Sequence, residues 1–146
     1  MTIDKRILGL DIGKRRIGVA LGDPLGILAS PHSIIKRYDD VSAVAAIAEL
    51  AAQNDVGQIV VGLPLSLDGG EGKQVAEVKA FATQIKTAID LPLVYCDERL
   101  STITAQELLK KGGSKRIGGA DDAAAAAVIL QSYLEENRSR RPKDED

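Results

Sequence analysis

The chain has 146 residues, of which 45% are hydrophobic, so it fits one compact domain and leaves no room for a second domain of normal size. Its 19 Lys and Arg residues nearly balance 21 Asp and Glu residues, and the formal net charge of -2 means that nucleic-acid binding would need a local basic patch. One cysteine excludes an intramolecular disulfide and a cysteine-based zinc cluster, no apolar run approaches the roughly 20 residues of a membrane span, and the first residues lack the apolar core of a secretory signal. We therefore expect a cytoplasmic protein with no membrane partner.

The first part of the chain alternates apolar runs with short turns. Gly13-Lys14-Arg15-Arg16 separates two of these runs and is short enough for a hairpin. Either Asp39 or Asp40 can cap a helix, because apolar residues recur at helical spacing directly afterwards. The predicted elements are strands at residues 7–12, 17–21 and about 29–35, followed by a helix carrying Val44, Ile47, Ala48 and Ala51.

Helices and strands alternate in the rest of the chain, which predicts an α/β fold with a mixed sheet covered by helices. Residues 1–137 are expected to form the domain, and the charged, proline-containing residues 138–146 to form a flexible tail. The predicted elements are strands at 58–63 and 91–95, a helix carrying Val75, Val78, Ala82 and Ile85, a helix from Ser101 or Thr102 to Gly112-Gly113, and an alanine-rich helix at 123–130.

At three positions the chain has an acidic residue where folding by itself would favour an apolar or neutral one. Asp11 interrupts an apolar strand, Glu98 follows the fifth strand, and Asp121-Asp122 opens an otherwise apolar helix. Each has an ordinary explanation: a turn, an ion pair with Arg99, or a helix N-cap. Together they could instead converge around Mg²⁺ or Mn²⁺, and two such ions about 4 Å apart can promote phosphodiester hydrolysis.

Basic residues flank these acids. Arginine and lysine could neutralise phosphates on either side of a cut, although solvated surface charge is an equal alternative for the most C-terminal group. Aromatic residues are few, at 3%, so recognition of the backbone is favoured over an extended single-strand binding surface. The basic residues concerned are Lys14, Arg15, Arg16, Arg99, Lys110, Lys111, Lys115 and Arg116.

Other reactive residues favour structural roles. His32 is interpreted as a surface residue, which disfavours a triad hydrolase, and Cys96 as a small packing residue. The glycine-rich segment 62–72 could hold a phosphate at a helix N-terminus, but it lacks the nucleotide P-loop pattern.

Several blocks of sequence resemble the YqgF family, also called RuvX. They are LDIGKRRIGVA at 10–20, IVVGLPL at 59–65, DERLST at 97–102, and a fourth block from Asp122 through ILQSY at 129–133. The resemblance covers roughly residues 5–136. It implies a ribonuclease H-like fold with sheet order 3-2-1-4-5, and a nuclease that matures the 5′ end of pre-16S ribosomal RNA. Some members of the family are proposed Holliday-junction resolvases.

Matched to the family pattern, the resemblance implies that Asp11, Glu98 and Asp122 are the catalytic acids and metal ligands, with Arg16 and Arg99 on substrate phosphates. Because Asp121 adjoins Asp122, either could be the ligand, and Asp122 is preferred. Lys14, Lys110 and Lys111 complete the expected substrate-binding set.

The leading hypothesis is thus a nuclease using two Mg²⁺ or Mn²⁺ ions on structured RNA, with pre-ribosomal particles as partners. One alternative is a Holliday-junction resolvase on branched DNA, which would act as a dimer. Another is a non-catalytic RNA-binding assembly factor in which the acids are structural. Either a monomer or a homodimer is compatible with the sequence.

Overall fold

A computed structural model describes residues 5–64, 72–97 and 118–140, and side chains within 5–64, 72–96 and 123–137. Five strands and three helices lie in these ranges. They are β1 (Arg6–Ile12), β2 (Arg16–Gly22), β3 (Ala29–Lys36), α1 (Asp40–Gln53), β4 (Val56–Leu63), α2 (Lys73–Ala88), β5 (Leu93–Asp97) and α3 (Gly118–Arg140).

The strands form one mixed sheet in the order β3-β2-β1-β4-β5. β2 is antiparallel to both β1 and β3, whereas β4 is parallel to both β1 and β5. The predicted five-stranded sheet and its order are therefore confirmed. The ends of β1, β3, β4 and β5 all point the same way, and we call this end of the sheet the carboxyl edge.

The outer strand β3 carries an irregularity in its pairing with β2. Val19 pairs with Ser33, but the next residue, Ala20, pairs with Pro31, so that the register passes over His32. Such a shift is a β-bulge, which bends and twists the strand that contains it.

Side chains alternate between two buried faces of the sheet. On one face Leu8 and Leu10 pack in the larger core with residues of α1 and α2, such as Ile47 and Phe81. The opposite face is covered by α3. Its core comprises Ala20, Val60, Cys96, Ala126, Ala127, Ile129, Leu130 and Leu134.

Small residues allow α3 to lie very close to the central strand. A Cβ atom at Gly9 would stand 2.8 Å from the Leu130 Cβ, so only glycine fits there. A Cβ at Gly22 would have Leu134 among its neighbours, and Gly22 lies near the start of β1 in the sheet. Leu134 thus lies near the start of β1, whereas Leu130, one turn earlier in the helix, lies further along β1. The amino end of α3 therefore points towards the carboxyl edge.

Local capping explains where α1 begins. Asp39 is the N-cap, and its Oδ1 accepts a hydrogen bond of 2.8 Å from the backbone N–H of Ser42. This resolves the choice between Asp39 and Asp40. Asp40 is left to serve in the first turn of the helix, where a carboxylate also suits the helix dipole.

The last helix is longer than its alanine run predicted. It begins at Gly118, so Asp121 and Asp122 lie inside the helix and neither is its N-cap, which corrects the capping interpretation. It ends at Arg140, three residues into the predicted tail. The helix predicted between Ser101 and Gly113 lies outside the described residues. Among the residues that are described, no helix is long and apolar enough to cross a bilayer.

Candidate active site

Asp11 is the first predicted site residue that the structure describes. It is the penultimate residue of β1, pairs with Gly18 of β2, and is half-buried. Strand alternation places it on the same face as Gly9, which is the face covered by α3. A carboxylate therefore stands at the carboxyl edge of the central strand, next to the amino end of a helix.

The parallel strands bring the end of β5 to the same edge. Leu10 pairs with Val61 of β4, and Leu63 of β4 pairs with Asp97, the last residue of β5. Because β4 lies between β1 and β5, the backbones of β1 and β5 are about 10 Å apart. Glu98 follows Asp97 directly in the sequence but lies outside the described residues, as do Arg99, Lys110 and Lys111.

A buried contact connects β5 to α3. The Cys96 thiol donates a hydrogen bond of 3.8 Å to the backbone carbonyl of Ile129, and Cys96 is almost fully buried. This confirms Cys96 as a packing residue. His32 is exposed on the outer strand and bonds to the Ser33 hydroxyl, which confirms it as a surface residue.

The backbone of Asp121 and Asp122 lies in the first turns of α3, but their side chains are not among those described. Within the described part of the chain, no three His, Cys, Asp or Glu side chains surround a common point. The geometry therefore brings together Asp11, the end of β5 and the amino end of α3. The ligand set of Asp11, Glu98 and Asp122 stays a prediction.

A turn rich in basic residues leads directly away from Asp11. The backbone N–H of Gly13 donates a 2.9 Å hydrogen bond to the carbonyl of Arg16, which closes the β1–β2 hairpin. A Cβ at Gly13 would stand 2.8 Å from that carbonyl oxygen, so the turn requires glycine. Residues 14–16 are all exposed, and we call them the basic turn.

Arg37 holds the basic turn in place, and sequence reasoning missed it. Its guanidinium donates from Nη1 to the Gly13 carbonyl at 2.8 Å and from Nε to Asp40 Oδ1 at 3.0 Å, and it lies 4.4 Å from the centre of the Phe81 ring. Its backbone N–H also donates to the Arg15 carbonyl at 2.8 Å. The only signal in the sequence was an arginine three residues before an aspartate, after a predicted strand.

Asp40, in the first turn of α1, is the acidic partner of Arg37, and we call this pair with its hydrogen bonds the anchor. Its Oδ2 accepts a 2.9 Å hydrogen bond from the Gln84 side chain of α2. The hydrogen bonds from Arg37 and then Gln84 lower the pKa of Asp40 below its ordinary value, despite some opposing desolvation. The carboxylate therefore stays ionised at neutral pH and connects the basic turn to both helices.

The sheet order, the helices on both faces and the acid near the end of the central strand define a ribonuclease H-like protein. The same fold is found in Thermus thermophilus RuvC in complex with a Holliday junction substrate, with a TM-score of 0.66 and 14% identity over 93% of this chain and 96% of that one. Residues 5–136 match the RuvX family, which is described as Holliday junction resolvase. The chain belongs to the RuvX family, and this membership makes it a nuclease.

Two relatives cover nearly the whole chain. One from Synechococcus elongatus is 46% identical over 136 residues, which are 92% of this chain and 91% of the relative. Another, from Chloroflexus aggregans, is 38% identical over 138 residues, which are 93% of this chain and 97% of the relative. Both bear the name "Putative pre-16S rRNA nuclease". The family resemblance noted in the sequence is thereby confirmed.

Proposed function

We propose that this chain is a divalent-metal-dependent endonuclease that cleaves precursor 16S ribosomal RNA during maturation of its 5′ end. The observation that carries the proposal is the position of Asp11, half-buried at the carboxyl edge between the basic turn and the amino end of α3. The names of the two relatives support the choice of substrate. The proposed catalytic acids are Asp11, Glu98 and Asp122.

The chemistry of the donors fits a hard divalent cation. All three acids offer carboxylate oxygens, which are the ligands preferred by Mg²⁺ and Mn²⁺. The elements that carry Asp11 and Asp122 meet at one edge, and Glu98 is the residue directly after the strand that ends there. When bound, such ions supply electrophilic activation of the phosphodiester and of the attacking water.

The chain's own basic residues would bind and orient the substrate. Lys14 and Arg16 lie in the basic turn, three and five residues after Asp11, so they can contact phosphates next to the one that is cut. The anchor made by Arg37 keeps this turn in a fixed position relative to β1. Arg99, Lys110 and Lys111 are proposed to extend the same binding surface.

The proposed substrate also determines the expected cellular location and partners of the protein. Precursor ribosomal RNA is a cytoplasmic substrate in bacteria such as those that supply the two relatives, so we infer a cytoplasmic location and contact with pre-ribosomal particles. A single active site suffices for one cut in RNA, which a monomer or each half of a homodimer can make.

Cleavage assays test this function directly. Labelled RNA containing the 5′ leader of pre-16S RNA is incubated with Mg²⁺, Mn²⁺ or a chelator, and with wild type, Asp11→Asn or the matched control Asp55→Asn. Asp55 lies just before β4 at the opposite end of the sheet. We expect metal-dependent cutting by wild type and Asp55→Asn and none by Asp11→Asn. RNA that is bound but not cut by wild type would favour the assembly-factor hypothesis.

The resolvase alternative is favoured by the description of the family and by the substrate in the RuvC structure. The same assay therefore includes a four-way DNA junction. A resolvase must cut two symmetry-related strands and would form a dimer with two active sites. Cutting of the junction alone, together with a dimer in solution, would replace RNA processing by junction resolution.

A further inference from the structure

The loop between β3 and α1 presents an aromatic ring to solvent. The chain has three tyrosines and no tryptophan. Tyr95 lies beneath the ammonium groups of two lysines, and the hydroxyl of the half-buried Tyr133 accepts a hydrogen bond from Gln58. Tyr38 is different, because 81% of it is exposed. Within the described part of the chain, the ring is therefore not held by packing in a core.

The backbone on either side of Tyr38 is firmly held. The backbone N–H of Arg37 donates to the Arg15 carbonyl, and its side chain is fixed by the contacts of the anchor, with only 18% exposed. On the other side, Asp39 caps α1 through the backbone N–H of Ser42. The ring is therefore presented from a fixed point beside the basic turn, and ordering it on a ligand requires little further loss of backbone entropy.

Basic residues outnumber acidic ones around Tyr38, although the net charge of the chain is -2. The two nearest acids in sequence are engaged, since Asp39 caps a helix and Asp40 is paired with Arg37. The exposed bases at this end of β2 and β3 are Lys14, Arg15, Arg16 and Lys36, of which Arg16 and Lys36 pair directly in the sheet. An exposed ring next to several cations suits a ligand with both flat bases and phosphates.

We propose that Tyr38 stacks on an unpaired base of the nucleic acid that occupies the carboxyl edge. The inference rests on the proposed function and deepens it, because it assigns a single-stranded segment to the substrate. Internal bases of a duplex have both faces covered by their neighbours, so away from duplex ends the ring can stack only where a base is unpaired. Tyr38 follows the end of β3, and β3 is two strands, about 10 Å, from β1, so the stacked base is not the one at the scissile phosphate.

Fluorescence can detect the stacking itself. A Tyr95→Phe, Tyr133→Phe variant keeps Tyr38 as its one tyrosine. Because the chain has no tryptophan, tyrosine emission from this variant comes from Tyr38. The variant also carries Asp11→Asn and is kept in chelator, so that binding is measured without cutting. We expect a single-stranded oligoribonucleotide to quench the emission strongly, and a long duplex of the same sequence to leave it nearly unchanged. Equal quenching by both would overturn the proposal.

Affinities provide an independent test. Tyr38→Ala should weaken binding of the single strand about tenfold and leave duplex binding unchanged, whereas Tyr38→Phe should bind like wild type. The salt dependence should not change, because no phosphate contact is lost. Val41→Ala is the matched control, since Val41 is 79% exposed on the adjacent helix. Thermal melting of each variant checks that the fold is intact.

Several results would contradict the stacking role. These are wild-type affinity in Tyr38→Ala, an equal loss in Tyr38→Phe, an equal loss for duplex, or no binding of single strands by the wild type. The proposed function is tested by a different measurement, the cleavage assay, and it fails if no metal-dependent cutting is found there. Stacking without cutting, or cutting without stacking, would therefore each be recognised.

Discussion

At the scale of single residues, Asp11 is proposed to serve the reaction, although a half-buried acid is unfavourable for folding. It follows the fully buried Leu10 in the central strand, and as a half-buried carboxylate it gives up part of its hydration. In the proposed function, its value lies in its position at the carboxyl edge.

Metal binding should accordingly appear as added stability. We predict that Mg²⁺ or Mn²⁺ at about 100 times its dissociation constant stabilises the wild type by about 2.7 kcal/mol, because the ion binds only the folded chain. Asp11→Asn should lose most of this gain, whereas Asp55→Asn should retain it. Urea unfolding with and without the ion measures the difference. An equal gain in all three proteins would place the cation elsewhere.

The ion pair of Arg37 and Asp40 gives the anchor a predictable response to pH. The pKa of Asp40 is lowered in the folded chain, so its carboxylate stabilises the fold above the ordinary aspartate pKa of about 3.9, and this contribution disappears as the pH falls through the lowered value. We predict that the stability difference between wild type and Asp40→Asn is constant near neutrality and shrinks below about pH 4. Urea midpoints across this range test it, and a difference independent of pH would contradict the assignment.

At the scale of secondary structure, the close approach of α3 to β1 depends on one missing side chain. We predict that Gly9→Ala destabilises the fold by about 1–3 kcal/mol, because the new Cβ would overlap Leu130 and force the helix away from the sheet. Cleavage should fall as well, since the amino end of α3 would move relative to Asp11. Gly22→Ala is the control, because its Cβ would meet the nearest atom at 3.5 Å, an ordinary contact. Equal unfolding midpoints for both variants would refute this.

Most elements could be predicted because their local signals agree with the fold. Apolar runs bounded by turns identified all five strands, and Asp39 was one of two predicted caps. The start of α3 was missed because Gly118 and Gly119 are poor helix formers, so the local sequence favours a later start than the structure shows. Local sequence also gives no sign of how closely a helix will approach Gly9.

The site was predicted less completely. The position of Asp11 at a sheet edge followed from one strand and its neighbours, whereas the role of Arg37 depends on partners from the basic turn, α1 and α2. Contacts between elements that are distant in sequence carry no local pattern. The exposure of Tyr38 is likewise a property of the folded loop, which the small number of aromatic residues could not reveal.

At the scale of the whole molecule, a nearly neutral chain has an uneven distribution of charge. The basic turn and Lys36 concentrate positive charge at the carboxyl edge. We predict that Lys14→Ala reduces the slope of log K against log salt for RNA binding by about one unit, because one phosphate contact and its released counterion are lost. Lys5→Ala, which removes a base at the start of β1, should leave the slope unchanged. A filter-binding series at several salt concentrations measures both, and equal slopes for all proteins would exclude Lys14 from the interface.

The bulge in β3 has a consequence for how copies of the chain can associate. A flat outer strand is a template on which strands of other molecules add, leading to continuous sheets and aggregation. In β3, Pro31 lacks an amide hydrogen, and the shift beside it bends the strand out of regular pairing. Both features make this side of the sheet a poorer template for edge-to-edge pairing. A sheet that continues from one copy to the next through β3 is therefore disfavoured.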